Sequence, residues 1–191
     1  MVKGLVMNEL SLYILDITQN SITADSKNVH LTITRSIRRN LLTIEITDDG
    51  KGMDEETVKK VVDPFFTTRT TRKVGLGIPL FKELCELCEG EFKIESKLGV
   101  GTHLVATFKL DSIDLPPLGN LVDTLYILIT NPQNVEIYYS EVVEKIDGDI
   151  KSFSFSTVEM KEALDGMSLN EPFVMEWFKD FVRDNEKEIV K

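Results

Sequence analysis

Three short glycine motifs constrain this chain most. Asp48-Asp-Gly50-Lys-Gly52, Gly75-Leu-Gly77-Ile-Pro79 and Gly99-Val-Gly101-Thr102 follow one another, each at the end of a regular element. Glycine lets backbone approach a ligand closely, and free N–H groups at a helix start favour anions. Gly75 and Gly77 open a predicted helix with Pro79 in its first turn, so a phosphate would rest there. Asp48 ends a predicted strand, where its carboxylate can accept a directional hydrogen bond from an amino group. One such loop alone reads as an ordinary turn. Three in series, with these neighbours, read as a ligand site.

The surrounding pattern supplies the frame. Leu10, Ile14 and Ile17 recur at helix spacing, widened by Leu12 and Leu15, which predicts a helix over 9–24. Val29, Leu31 and Ile33 alternate with polar residues, as do Leu42, Ile44 and Ile46, and each set predicts a half-buried strand. Asp54 caps a short helix that carries Val58, Val61 and Val62 inward, and Pro64 ends it. A polar, basic loop over 67–73 follows. A helix then runs to about Glu89, where Gly90 stops it, and strands near 92–96 and 103–110 flank the third glycine motif. This order predicts an α+β fold with helices on one face of a mixed sheet. Asp16 and Asn20 stand at i and i+4 and share one helix face. Either they belong to the solvent face, or Asn20 is a magnesium ligand with a carboxylate one turn earlier, since a hard cation on phosphates takes oxygen ligands.

Charge divides the chain. Of its 22 basic and 32 acidic residues, residues 1–111 hold 15 and 16, whereas residues 112–191 hold 7 and 16. The jump, with Asp114-Leu-Pro-Pro-Leu-Gly119 beside it, predicts a first domain over 1–111, a linker over 112–119 and a small acidic α/β module over 120–191. In that module Leu125–Ile129, Val135–Tyr139 and Ser152–Phe155 read as strands, with a hairpin turn at Asp147-Gly148. Helices follow near Val158–Leu164 and Pro172–Glu188, the last with Val174, Trp177, Phe178, Phe181 and Val182 on one stripe. That stripe reads either as cover for a small sheet of its own or as a docking surface. The acidic balance argues against a nucleic-acid partner. No apolar run approaches the roughly 20 residues of a spanning helix, and nothing reads as a signal peptide, so the expectation is a cytoplasmic protein. Cys85 and Cys88 share the packing face of a predicted helix and read as small buried hydrophobes.

The motifs together resemble the GHKL superfamily, which takes in histidine-kinase catalytic domains, gyrase-type ATPases, chaperone ATPases and mismatch-repair ATPases. Asp16-Ile-Thr-Gln-Asn20-Ser-Ile-Thr-Ala24 resembles its N box, and Asp48-Asp-Gly50-Lys-Gly52-Met53 its first glycine box. Pro64-Phe-Phe-Thr-Thr68 resembles the F box of histidine kinases, the nearest branch. Gly75-Leu-Gly77-Ile78 and Ser96-Lys-Leu-Gly99-Val-Gly101-Thr102 resemble the second and third glycine boxes. The resemblance implies a Bergerat α/β sandwich and ATP and magnesium as cofactors. It implies that Asn20 coordinates magnesium, that Asp48 takes the adenine amino group, and that Gly50 and Gly52, followed by Met53, shape the turn under the base. Phe65, Phe66 and Thr68 would anchor the lid, Gly75, Leu76 and Gly77 would meet the phosphates, and Thr102 would help at the adenine end. Arg72 and Lys73, beside Arg69, read either as a solvated basic loop or as contacts to the γ-phosphate.

The chain also departs from that pattern. Lys73 stands where a lid glycine is usual. Asp16 stands where the ATPase branches carry a glutamate general base, one methylene longer. Only eight residues precede the first predicted helix, so the dimerisation domain with its acceptor histidine is expected to be absent. His30 and His103 both read as strand residues rather than phospho-acceptors. The expected function is Mg-dependent ATP binding, with phosphorylation or regulation of a partner protein in trans. The alternative is an ATP-controlled interaction switch that hydrolyses slowly or not at all.

Overall fold

A computed structural model of the chain describes residues 8–63 and 77–191. The elements run α1 (Leu10–Thr23), β1 (Asn28–Ser36), β2 (Leu41–Asp48), α2 (Glu55–Val61), α3 (Gly77–Leu87), β3 (Phe92–Lys97), β4 (Gly101–Lys109), α4 (Leu121–Ile129), β5 (Glu136–Glu144), β6 (Ile150–Ser156), α5 (Thr157–Ala163) and α6 (Pro172–Val190). The strands form a six-stranded sheet in the order β3-β4-β2-β1-β5-β6. Every neighbouring pair is antiparallel except β1 and β5, which are parallel. The fold is therefore the mixed α/β arrangement that the hydrophobic pattern predicts.

Strand alternation explains which face is covered. Val29, Leu31 and Ile33 of β1 lie in register with Asp48, Ile46 and Ile44 of β2 and with Ile137, Tyr139 and Glu141 of β5. Period-2 geometry sends all of them to one face, and the apolar members are at most 2% exposed. On that face α1 packs between α3 and α4, and α6 packs on α4 and β6. Tyr13 of α1 stacks against Phe81 of α3, and Phe81 meets Phe108 of β4, joining helix layer to sheet. The opposite face is polar: Glu45 meets His103 across β2 and β4, and His30 stacks on Tyr138.

Residues 120–191 do not build a small sheet of their own. β5 adds to β1 along its whole length, and β6 closes that edge. Nor is the stretch over 112–119 detached. The first N–H groups of α1 have no side-chain cap, and Leu10 and Ser11 donate instead to the carbonyls of Pro117 and Leu118 at 3.0 and 2.9 Å. The predicted strand at Leu125–Ile129 is helical. Asn120 caps α4 by accepting the Asp123 N–H at 3.1 Å, and Leu121, Leu125 and Leu128 bury one helical stripe. A short apolar run has no clear period, so the cap decides between helix and strand. In α2 the Asp54 cap is present, accepting from Thr57 N–H at 2.7 Å, but no residue of that helix is fully buried. The stripe of α6 narrows likewise: Val174, Phe178 and Val182 are fully buried, while Trp177 stays 44% exposed and stacks on Phe181.

Candidate functional site

Register places the first site residues. Asp48 of β2 lies opposite Thr102 of β4, and Thr102 opposite Ser96 of β3, so all three stand in one row on the helix-covered face. α1 crosses above that row. Its last turns bring Ile17, Asn20 and Ser21 over Asp48, and together with Gly52, Met53 and Thr102 they line a cavity of about 260 Å³. Ile46, Ile78, Ile94 and Leu104 supply the apolar wall. A largely apolar cavity with one buried carboxylate in its wall suits a ring bearing an amino group.

Asp48 is 7% exposed. Its Oδ2 accepts the Ser21 hydroxyl at 2.6 Å, and its Oδ1 accepts the Gly50 N–H at 3.0 Å. Burying a carboxylate is costly unless hydrogen bonds satisfy it, and these two supply that while leaving lone pairs for a ligand. Neighbouring Asp49 has a different task. It accepts the backbone N–H groups of Lys27 and Asn28 and the Asn28 amide, tying the start of β1 to the end of β2. Partial burial works against its ionised form, but those bonds from Asn28 and Lys27 outweigh it and hold the carboxyl below its usual value.

Of the motif glycines, Gly52 lines the cavity. Gly52 sits at φ +64°, and a Cβ there would lie 2.0 Å from the Lys97 carbonyl oxygen, so only glycine fits. The Ser96 hydroxyl gathers this corner: it accepts the Met53 N–H at 2.8 Å, donates to the Gly101 carbonyl at 2.9 Å and lies 2.9 Å from the Thr102 hydroxyl. Gly50 does not line the cavity; its N–H fixes Asp48, and a Cβ on it would lie 2.6 Å from Ser26 Oγ and 2.7 Å from the Ala24 carbonyl oxygen.

Asp16 lies outside the wall of this cavity, one helical turn before Asn20. It meets Gly77 instead. A Cβ on Gly77 would lie 1.8 Å from Asp16 Oδ2, so the missing side chain is what admits the carboxylate against α3. Burial raises the Asp16 carboxyl above its usual value, which makes it a better proton acceptor once ionised. Phe65, Phe66, Thr68, Arg72, Lys73, Gly75 and Leu76 lie outside the described residues.

Polar residues at the site that the sequence reading gave no role include Ser21, Ser96 and Lys51, the last also lining the cavity. Ser21 directly follows Asn20, but the i, i+4 argument that selects Asp16 and Asn20 passes over it. Cys85 and Cys88 are both fully buried, and burial first, then the neighbouring Cys88, pushes the Cys85 thiol up to about 12. Among the described residues no group of three or more His, Cys, Asp or Glu side chains could hold a metal by itself. A second recess of about 460 Å³, lined by Arg35, Ile37, Val143, Lys145, Ile146, Asp147 and Val190, lies at the far ends of β1 and β5 and contains none of the motif residues.

Comparison with known proteins agrees with this geometry. The family described as "Histidine kinase-, DNA gyrase B-, and HSP90-like ATPase" matches residues 6–112. A putative sensor protein of Shewanella frigidimarina is 32% identical over 108 residues, which is 56% of this chain and 16% of that protein. Sporulation kinase C of Bacillus subtilis is 33% identical over 107 residues, 55% of this chain and 25% of that protein. The chain thus spans a quarter or less of the length of these relatives. The N-terminal domain of a DNA repair protein shares the fold, with a TM-score of 0.53 and 14% identity over 80% of this chain and 54% of that one. The family match covers more than half of the chain, and it holds α1 and β1 to β4 with the Asp48 cavity between them. The chain belongs to the histidine kinase-, DNA gyrase B- and HSP90-like ATPase family.

Proposed function

We propose that the cavity under α1 binds Mg·ATP, and that the chain uses it to phosphorylate or regulate a partner protein. The observation that carries this is the buried Asp48 carboxylate, held on both oxygens in the wall of a largely apolar cavity inside the family-matched segment. The residues present fit the ligand. Asp48 would accept the amino group of adenine, Gly52 admits the backbone under the base, and the Asn20 amide oxygen is a suitable ligand for magnesium. When bound, ATP supplies a transferable γ-phosphoryl group whose charge the metal partly neutralises. Asn20 would orient the metal, and Asp16 would hold a proton from the attacking group. Gly75, Leu76 and Gly77 are assigned to the phosphate end by the resemblance of their motif, and the positive charge of Arg72 and Lys73 suits contacts to the γ-phosphate.

Action on a partner has its own support. Among the described residues His30 and His103 are the histidines, and both stand on strands with their rings on the polar face, the side of the sheet opposite the Asp48 side chain. A second reading, an ATP-controlled switch with slow or no turnover, is favoured by the seat of Asp16. Its carboxylate rests against Gly77 and is one methylene shorter than glutamate. Incubation with γ-labelled ATP, with and without added lysate, separates the two. Label on a lysate protein supports the kinase, whereas nucleotide binding without label or phosphate release supports the switch.

A further inference from the structure

We infer that Ser21 is a specificity-determining residue for the base, acting through Asp48. The inference rests on the nucleotide reading above and deepens it. Asp48 can select an amino group only if one lone pair points at the ring edge and the carboxylate does not rotate. Two donors fix its plane: the Gly50 N–H on Oδ1 and the Ser21 hydroxyl on Oδ2. The Gly50 donor is backbone and exists in any sequence that makes this turn. The Ser21 donor is a side chain, so residue 21 decides whether the second oxygen is held.

Ser21 is itself held. It is 7% exposed, on the last turn of α1, and its carbonyl accepts the Ser26 hydroxyl at 2.6 Å. The Ala24 carbonyl beside it accepts the Lys51 N–H at 2.8 Å, pinning the end of α1 to the loop after Asp48. Ser21 and Asp48 both line the cavity, so a ring bound there would lie beside the Ser21–Asp48 bond. A charge-assisted bond shielded from water is the strong kind. Its donor is used up on Asp48, so Ser21 presents only lone pairs to the ring. The pair therefore favours a ring edge that donates hydrogen, such as the adenine amino group, and disfavours one that offers a carbonyl.

The test pairs a residue change with a ligand change. ATP and purine riboside triphosphate, which lacks the amino group, are titrated calorimetrically into wild type, Ser21→Ala, Ser21→Thr and Asp48→Asn. The expected result is a loss of ATP affinity in Ser21→Ala of roughly tenfold, equivalent to about 1.4 kcal/mol. Affinity for the amino-free nucleotide stays within about twofold, since less than 0.5 kcal/mol separates such values. Ser21→Thr, which keeps the hydroxyl, restores ATP affinity. Equal losses for both nucleotides would make Ser21 a structural residue and overturn the inference, as would unchanged ATP affinity in Ser21→Ala beside a weakened Asp48→Asn. Unchanged ATP affinity in Asp48→Asn, or no nucleotide binding to wild type, would instead overturn the nucleotide reading and this inference with it.

Discussion

At the scale of single residues, the cavity assigns different work to acids that look alike in the sequence. Asp48 and Asp49 are neighbours, yet alternation along β2 buries Asp48 on the helix face, while Asp49 binds the start of β1. Asn20 lines the cavity one turn from Asp16, which is aimed at Gly77. Two predictions follow from that division. Asn20→Ala will keep metal-free ADP binding but lose the gain in ATP affinity that magnesium brings; fluorescence titrations with and without the metal check this, and an equal magnesium effect in both proteins would contradict it. Asp16→Glu will raise the rate of phosphate release under saturating ATP, because the longer side chain extends a general base by more than about 1 Å toward a reach of roughly 3 Å. An unchanged rate would leave Asp16 as a packing residue beside α3. The residue roles were only partly legible in sequence. Spacing singles out Asn20 and Asp48, but the Ser21 bond needs the crossing of α1 over β2, a contact between positions 27 apart. No local pattern encodes such a contact.

At the scale of elements, α6 is anchored by an apolar stripe and also carries a charge problem. Val174, Phe178 and Val182 are fully buried, with Phe178 edge-on to Phe155 of β6. Near the other end of α6, Glu186 faces the fully buried Glu141 of β5, with Arg35, Arg183 and Tyr139 around the pair. Arg35 bonds Glu141 Oε1, and the Tyr139 hydroxyl donates to Oε2 at 2.9 Å. Burial, then the Glu141 charge, raises the Glu186 carboxyl above its usual value of 4.5. A carboxyl raised in the folded state favours folding when protonated, so its contribution is present below the unfolded value and lost as pH rises through the folded one. Glu186→Gln is therefore expected to raise the melting temperature at about pH 7 and to raise it much less at about pH 4, where the folded-state carboxyl is mostly protonated. A gain of equal size at both values would show that ionisation is not the cause. Strands and long helices were legible because their periods are sustained. α4 was not: its nine residues are almost all apolar, and the Asn120 cap that marks it as helix is read only once a helix is suspected.

At the scale of the whole molecule, the charge step near residue 112 predicts two modules, while the sheet runs unbroken from β3 to β6. Composition reports what faces solvent. It does not report which strand edges are paired, so the parallel joining of β5 to β1 was invisible to it. A chain ending at Asp111 would expose the edge of β1 and the face of α1 that α4 covers. Such a fragment is expected to melt at least ~10 °C below the full chain or to associate, since exposed strand edges invite pairing. Thermal melting with size-exclusion chromatography checks this, and a monomeric fragment that melts with the full chain would show the two parts to be independent. The central claim is that the Asp48 cavity selects adenine nucleotides, and a calorimetric titration of ATP and GTP in magnesium into wild type and Asp48→Asn tests it most directly. The account predicts saturable ATP binding to wild type, little GTP binding to either protein, and a loss of about 1.5–3 kcal/mol of ATP binding free energy in the variant, the worth of a hydrogen bond to a charged group. Equal ATP affinity in the two proteins would contradict it.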